Sequence, residues 1–126
     1  MSYDQYNRSL NLQTMVNMLD QLFGSKSAEM VFYYMLVYKK GYARKVSTIV
    51  GLSLNTIQKQ FIKFEKAGIF VSFLEGRTRI FEWNPRYPFR NELLNLIQKA
   101  YDYLPESDKE KYFKYRTRPR RTGKPL

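Results

Sequence analysis

The sequence predicts a mainly α-helical fold with one small antiparallel β hairpin, and three observations support this. Apolar residues recur at helical spacing through most of residues 10–67 and again in residues 88–104. Residues 69–83 change to an alternating pattern, which is typical of strands. A glycine, Gly76, divides that stretch in two. With 126 residues, of which 44% are hydrophobic, the chain is long enough for one domain with a real core.

The first two helices are bounded by residues that favour helix ends. A helix is predicted over residues 10–23, and Gly24 is expected to end it. Ser25 or Ser27 can cap the second helix, because a serine hydroxyl accepts a hydrogen bond from a free N–H of the first turn. The second helix is predicted to end at residues 39–41.

Two shorter helices follow, separated by a turn of small residues. The third helix is predicted over residues 43–50, and the turn comprises residues 51–53. The fourth helix ends at Ala67 and Gly68, where glycine readily adopts the left-handed conformation. It has one narrow apolar face, formed by Ile57, Phe61 and Phe64.

The hairpin and a last helix complete the predicted domain. Two strands, residues 69–74 and 80–83, flank a hairpin tip at residues 75–79. Asn84 and Pro85 break the second strand, and a long helix is predicted over residues 88–104 with Pro88 in its first turn.

Four segments are therefore expected. A flexible arm occupies residues 1–9, and the helical domain with its hairpin occupies residues 10–104. A short polar helix is expected within residues 105–115, and a disordered basic tail in residues 116–126.

Composition argues against catalysis. The chain has no cysteine and no histidine, which removes thiolate chemistry, the usual general base and the usual zinc ligands. The carboxylates are few and scattered, so we expect no enzyme activity, no metal site and no cofactor. No apolar run is long enough to span a membrane and no secretory signal is evident, so a cytoplasmic protein is expected.

The positive charge is concentrated in two segments. The formal net charge is +11, and residues 39–79 and 111–126 each contribute a net +7, while the rest of the chain is slightly acidic. Clustered positive charge is the electrostatic signature of a protein that binds a polyanion. Lysine that only maintains solubility is the alternative, but it would be spread more evenly.

Three short helices followed by a β hairpin form the layout of a winged helix-turn-helix. A helix with one apolar face and one polar face can enter the DNA major groove, and a hairpin tip beside it can reach the backbone or minor groove. Residues 46–70, VSTIVGLSLNTIQKQFIKFEKAGIF, resemble the centre of the ArsR/MarR-like winged-helix transcriptional regulators. Residues 75–88, EGRTRIFEWNPRYP, look like the wing and exit of the same superfamily, and the match covers about residues 20–104.

The resemblance implies a set of residues that contact DNA. The fourth helix would read bases, the wing would contact the backbone or minor groove, and the third helix would border the phosphates. These residues are Arg44, Lys45, Ser47, Thr48, Ser53, Asn55, Thr56, Gln58, Lys59, Lys63, Arg77, Thr78 and Arg79. Two alternatives stay open: Lys63 and Lys66 can be solvated charges, and Asn55 and Thr56 can simply favour a helix N-terminus. Metal sensing through Cys and His, as in ArsR-type sensors, is excluded.

The flanking helices are predicted to pair two protomers, since a short chain has difficulty covering their apolar stripes. The expected dimerisation residues are Leu12, Met15, Leu19, Phe89, Leu93, Leu96, Ile97, Ala100 and Leu104. A two-fold dimer would place two recognition helices about one DNA turn apart. The predicted function is sequence-specific binding of double-stranded DNA by a transcriptional regulator, and the sequence does not identify an effector. The alternatives are a DNA-binding role in replication, plasmid maintenance or chromatin architecture, or a winged helix that contacts protein or RNA.

Overall fold

The fold is mainly helical with a small antiparallel β sheet, as the sequence predicted for the fold class. The computed structural model describes residues 19–114. Its helices and strands are α1 (Asp20–Phe23), α2 (Lys26–Tyr38), β1 (Lys40–Gly41), α3 (Ala43–Val50), α4 (Leu54–Lys66), β2 (Phe70–Glu75), β3 (Thr78–Trp83), α5 (Arg90–Asp102), α6 (Glu106–Lys109) and a π-helical turn (Glu110–Lys114). The predictions for the arm, the basic tail, and Leu12 and Met15 in the first helix lie outside the described residues.

The start of α2 is fixed by local hydrogen bonds that the sequence predicted. Gly24 follows α1 with a φ of 94°, and its N–H donates to the carbonyl of Asp20. Ser25 is then the cap of α2, where its hydroxyl accepts from the N–H of Ala28 at 3.1 Å. Such a cap stabilises a helix by about 1 kcal/mol.

Helix α2 forms the centre of the core, and every residue from Ser27 to Met35 is buried. The Phe32 ring lies 4.4 Å from that of Phe64 on α4 and 6.2 Å from Trp83 on β3, measured between centroids. The indole N–H of Trp83 donates to the carbonyl of Met35 at 2.9 Å. Phe32, Phe64 and Trp83 therefore pack as core, whereas Phe73 of β2 is exposed.

Helices α3 and α4 form a helix-turn-helix, and β2 and β3 form the wing that follows it. In the turn, Gly51 has a φ of 76°, which favours glycine. The Ser47 hydroxyl donates to the carbonyl of Leu52 at 2.5 Å and thereby closes the turn. Ser53 caps α4 by accepting from the N–H of Thr56 at 3.1 Å.

The sheet differs from its prediction in two respects. Its strand order is β1-β3-β2, and β1 was not predicted because two residues carry no readable alternation. A Cβ at Gly41 would lie 2.6 Å from Cε1 of Tyr34, so β1 approaches α2 where only glycine fits. The hairpin tip is also tighter than predicted: Glu75 pairs with Thr78, which leaves Gly76 and Arg77 as the whole turn.

The C-terminal part of the described chain is helical over residues 106–114, within the range predicted for a short helix, but it also contributes to the core. Helix α5 begins at Arg90, so Pro88 precedes the helix and does not lie in its first turn. Phe113 is fully buried, with its ring centroid 6.0 Å from Tyr33 and 5.8 Å from Tyr101. The domain therefore extends past residue 104, because residues 106–113 cover the core beside α2.

Four residues predicted to lie at a dimer interface are instead buried inside one protomer. They are Leu19, Ile97, Ala100 and Leu104. Helix α2 packs against α5, and together with the segment carrying Phe113 it contributes to the same core. These positions are apolar for that reason, and this part of the prediction was wrong. Leu93 is half-buried, whereas Phe89 and Leu96 are exposed.

Candidate nucleic-acid interface

Helix α4 presents a polar and basic face to solvent. Ile57, Phe61 and Phe64 are buried against the core, which turns the opposite side of the helix outward. The exposed residues of that side are Asn55, Gln58, Lys59, Ile62, Lys63 and Lys66. Ser53 precedes this face as the helix cap, so the amide and lysine side chains begin within its first turn.

A chain of hydrogen bonds attaches the hairpin to α4. The Ser72 hydroxyl on β2 donates to Oε2 of Glu65 at 2.6 Å. Nη1 of Arg79 on β3 donates to the same hydroxyl at 2.9 Å. The first bond joins the hairpin to α4 and the second joins the two strands of the hairpin, so the hairpin is attached beside the outward face of α4.

A groove of about 550 Å³ lies between α4, the start of α3 and the hairpin. Its lining residues are Tyr42, Ala43, Arg44, Leu54, Gln58, Ile62, Arg77, Thr78, Arg79 and Phe81. Five of these were predicted to bind DNA, and they come from three separate parts of the chain. Arginines border the groove, whereas leucine, isoleucine and phenylalanine give it an apolar wall.

Lys45, Asn55, Lys59 and Lys63 were also predicted and are exposed, although they do not line the groove. Lys63 places its ammonium 5.4 Å from the centre of the Phe64 ring. Its aliphatic stem therefore lies along the helix, and the charge stays at the surface.

On α3 and at the start of α4, the hydroxyl groups that were predicted to contact DNA make hydrogen bonds within the protein. Ser47 is bonded to Leu52, and Thr48 donates to the carbonyl of Arg44 at 3.0 Å. The Ser53 hydroxyl donates to that of Thr56 at 2.7 Å while it caps the helix. For Thr56 the alternative interpretation as a helix N-terminal residue fits the structure, whereas Asn55 makes no such contact within residues 19–114.

Five residues of the groove were missed: Tyr42, Ala43, Leu54, Ile62 and Phe81. Ile62 could have been found from the sequence. It follows Ile57 by five positions and so falls about 140° around the helix from it, away from the apolar face. An isoleucine on the same side of a helix as lysines and amides indicates exposed apolar surface, and this pattern could have identified Ile62 as a groove residue.

Positive charge dominates this side of the molecule. Seven exposed basic side chains lie on α3, α4 and the hairpin: Arg44, Lys45, Lys59, Lys63, Lys66, Arg77 and Arg79. The acidic residues of the same elements are Glu65, Glu75 and Glu82, and Glu65 is hydrogen-bonded to the hairpin through Ser72.

The groups whose pKa values are shifted lie elsewhere, in the core. Glu29 is fully buried and accepts from the N–H of Leu19 at 3.2 Å and from the Tyr33 hydroxyl at 3.1 Å. Burial raises the pKa of Glu29 above its ordinary value of 4.5, because the ionised form loses its hydration. Burial also raises the pKa of Tyr34 to about 12. These groups lie on α2 and take no part in the groove.

No family model, no curated protein and no solved structure matches this chain. The likeness to ArsR/MarR-like regulators therefore stays a prediction from the residues. Within residues 19–114, no helix has both the length and the apolar content needed to cross a membrane.

Proposed function

We propose that this protein binds double-stranded DNA in a sequence-specific manner and regulates transcription as a homodimer. One observation carries the proposal: the exposed amide and lysine face of α4 lies beside a hairpin that presents arginine. The major groove of DNA is just wide enough for one helix, and an arginine beside it can contact the phosphate backbone or a narrow minor groove.

The side chains of α4 suit different parts of a duplex. Asn55 and Gln58 each offer a donor and an acceptor, which matches the paired groups at the edge of adenine. Lys59 and Lys63 supply charge for phosphates, which positions the protein without reading sequence. At the hairpin turn, Arg77 is exposed and can reach the DNA beside the helix.

The proposed dimer uses the exposed side of α5. Phe89, Leu96 and Tyr103 are 62%, 41% and 51% exposed. They are spaced seven residues apart and so lie on one side of the helix. Phe89 and Tyr103 flank its two ends, and Leu96 lies at its middle. A two-fold pairing through this stripe would cover apolar surface and present two α4 helices to one duplex.

A second candidate function, binding of a protein through the hairpin, is favoured by the apolar surface of β2. Val71, Phe73 and Leu74 are all exposed, and β2 lies at the edge of the sheet. An edge strand offers unpaired backbone groups to an added strand. In that case the basic groove would meet an acidic partner.

Selection of bound duplexes from a random DNA pool tests the main proposal. Enrichment of a pseudo-palindrome is expected, and its position relative to promoters separates regulation from a replication or architectural role. Asn55→Ala and Gln58→Ala should then lose affinity for the selected site more than for random DNA, since a good bidentate base contact is worth about 1–3 kcal/mol. Asn95→Ala, on the exposed surface of α5, is the matched control. The absence of any duplex binding would refute the proposal and favour the protein-binding candidate.

A further inference from the structure

Ile62 stands out among the side chains of α4. It is 49% exposed on a face otherwise formed by amides and lysines. Together with Leu54 and Phe81 it forms the apolar wall of the groove. The buried face of α4 already anchors the helix, so this isoleucine exposes apolar surface that folding does not require.

The position of Ile62 places it in line with the amides proposed to read bases. Gln58 precedes Ile62 by four residues and Asn55 precedes it by seven, and residues at these spacings share one side of a helix. Four residues advance a helix by about 6 Å, which is close to two base-pair steps of about 3.4 Å along the duplex. A helix that brings Gln58 to one base therefore brings Ile62 to a base about two steps away.

The bases expose few apolar groups in the major groove, and the thymine methyl is the one that a side chain such as Ile62 can cover. We propose that Ile62 contacts the C5-methyl group of a thymine in each half-site, within about two base pairs of the base that Gln58 reads. This inference rests on the proposed binding of double-stranded DNA. It makes Ile62 a specificity-determining residue and predicts an A·T pair at a defined position of the target.

Substitution of uracil for thymine tests the contact, because it removes only the methyl group. In the selected duplex, each thymine would be replaced singly by deoxyuridine, and binding would be measured by fluorescence anisotropy. One position per half-site should bind the wild-type protein about fourfold more weakly, as expected for the loss of one buried methyl-sized group. Ile62→Ala should bind the thymine and uracil duplexes equally, whereas Ile62→Val should retain part of the difference.

The control is Val71→Ala, which shortens an exposed apolar side chain on β2 that does not line the groove. It should leave the uracil effect unchanged. If duplexes are selected but uracil is tolerated at every position, the thymine contact is wrong while DNA binding stands. The same holds if Ile62→Ala keeps the full uracil effect, or if the selected site has no thymine near the base read by Gln58. If no duplex is bound, both proposals fail.

Discussion

Phe113→Ala tests whether the chain beyond α5 belongs to the cooperative fold. Phe113 is fully buried between Tyr33 of α2 and Tyr101 of α5, with centroids at 6.0 and 5.8 Å. Its carbonyl also accepts from the Tyr38 hydroxyl. Truncation of a buried phenylalanine to alanine costs about 3–5 kcal/mol, since it removes apolar contacts and leaves a cavity. We expect a value near the lower end, about 3 kcal/mol, because the segment lies at an end of the core and can relax around the cavity.

Trp83 can report the unfolding of the Phe113→Ala variant through its fluorescence. It is the only tryptophan of the chain and is bonded to Met35 in the core, away from the altered residue in sequence. Urea unfolding followed by its fluorescence should show a midpoint lowered by roughly 1–3 M, given typical dependences of about 1–3 kcal/mol per M. Leu22→Ala is the control, because Leu22 on α1 is 63% exposed, lies outside the proposed dimer stripe, and its truncation should change stability by at most about 0.5 kcal/mol. Equal, small losses in the two variants would refute the placement of Phe113 in the core.

Three further predictions address the core charge, the dimer and the tail. Glu29→Gln keeps an oxygen that can accept hydrogen bonds from Leu19 and Tyr33. Because burial raises the pKa of Glu29, the wild-type protein should lose stability relative to this variant as the pH rises from about 4.5 through that raised pKa. Urea midpoints of the two proteins that run parallel from pH 4 to 8 would contradict this. Leu96→Asp places a charge in the apolar stripe of α5 and should give a monomer in sedimentation, whereas Asn95→Asp at the exposed neighbouring position should not. A wild-type protein that sediments as a monomer at micromolar concentration would refute the dimer. Residues 116–126 carry five basic side chains, and their deletion should flatten the plot of log affinity for DNA against log salt concentration by up to about 4–5 units of slope per protomer. The selected DNA site should not change, because contacts to phosphate do not read sequence. An unchanged slope would mean that the tail does not contact DNA.

The boundaries that the sequence predicted correctly depend on local chemistry. Ser25, Gly24 and Gly51 act within one turn of their own positions, through a cap hydrogen bond or a left-handed φ. The extent of α3 and the end of α4 followed from the same kind of signal. Such residues are readable because their partners are a few positions away in the chain.

The features that were missed depend on distant partners. An apolar stripe on α5 indicates burial, but it does not indicate whether α2 or a second protomer covers Ile97 and Ala100. Phe113 follows the same rule, since its partners on α2 and α5 are remote in sequence. Likewise, the approach of Arg44 to the hairpin arginines across the groove is a product of the tertiary fold. Charge clustering predicted a basic face but could not predict the groove.

The two hairpin arginines, which the sequence treats alike, have different environments. Arg79 donates to Ser72, which in turn donates to Glu65, so its guanidinium is engaged in the link between the hairpin and α4. Arg77 lies in the turn and makes no hydrogen bond within residues 19–114. A phosphate that bound Arg79 would share its guanidinium with the Ser72 hydroxyl, whereas the guanidinium of Arg77 has all of its donors available for a phosphate. Arg77 is therefore the better candidate for direct contact with DNA, and Arg79 is better suited to hold the hairpin at the distance from α4 that the groove requires.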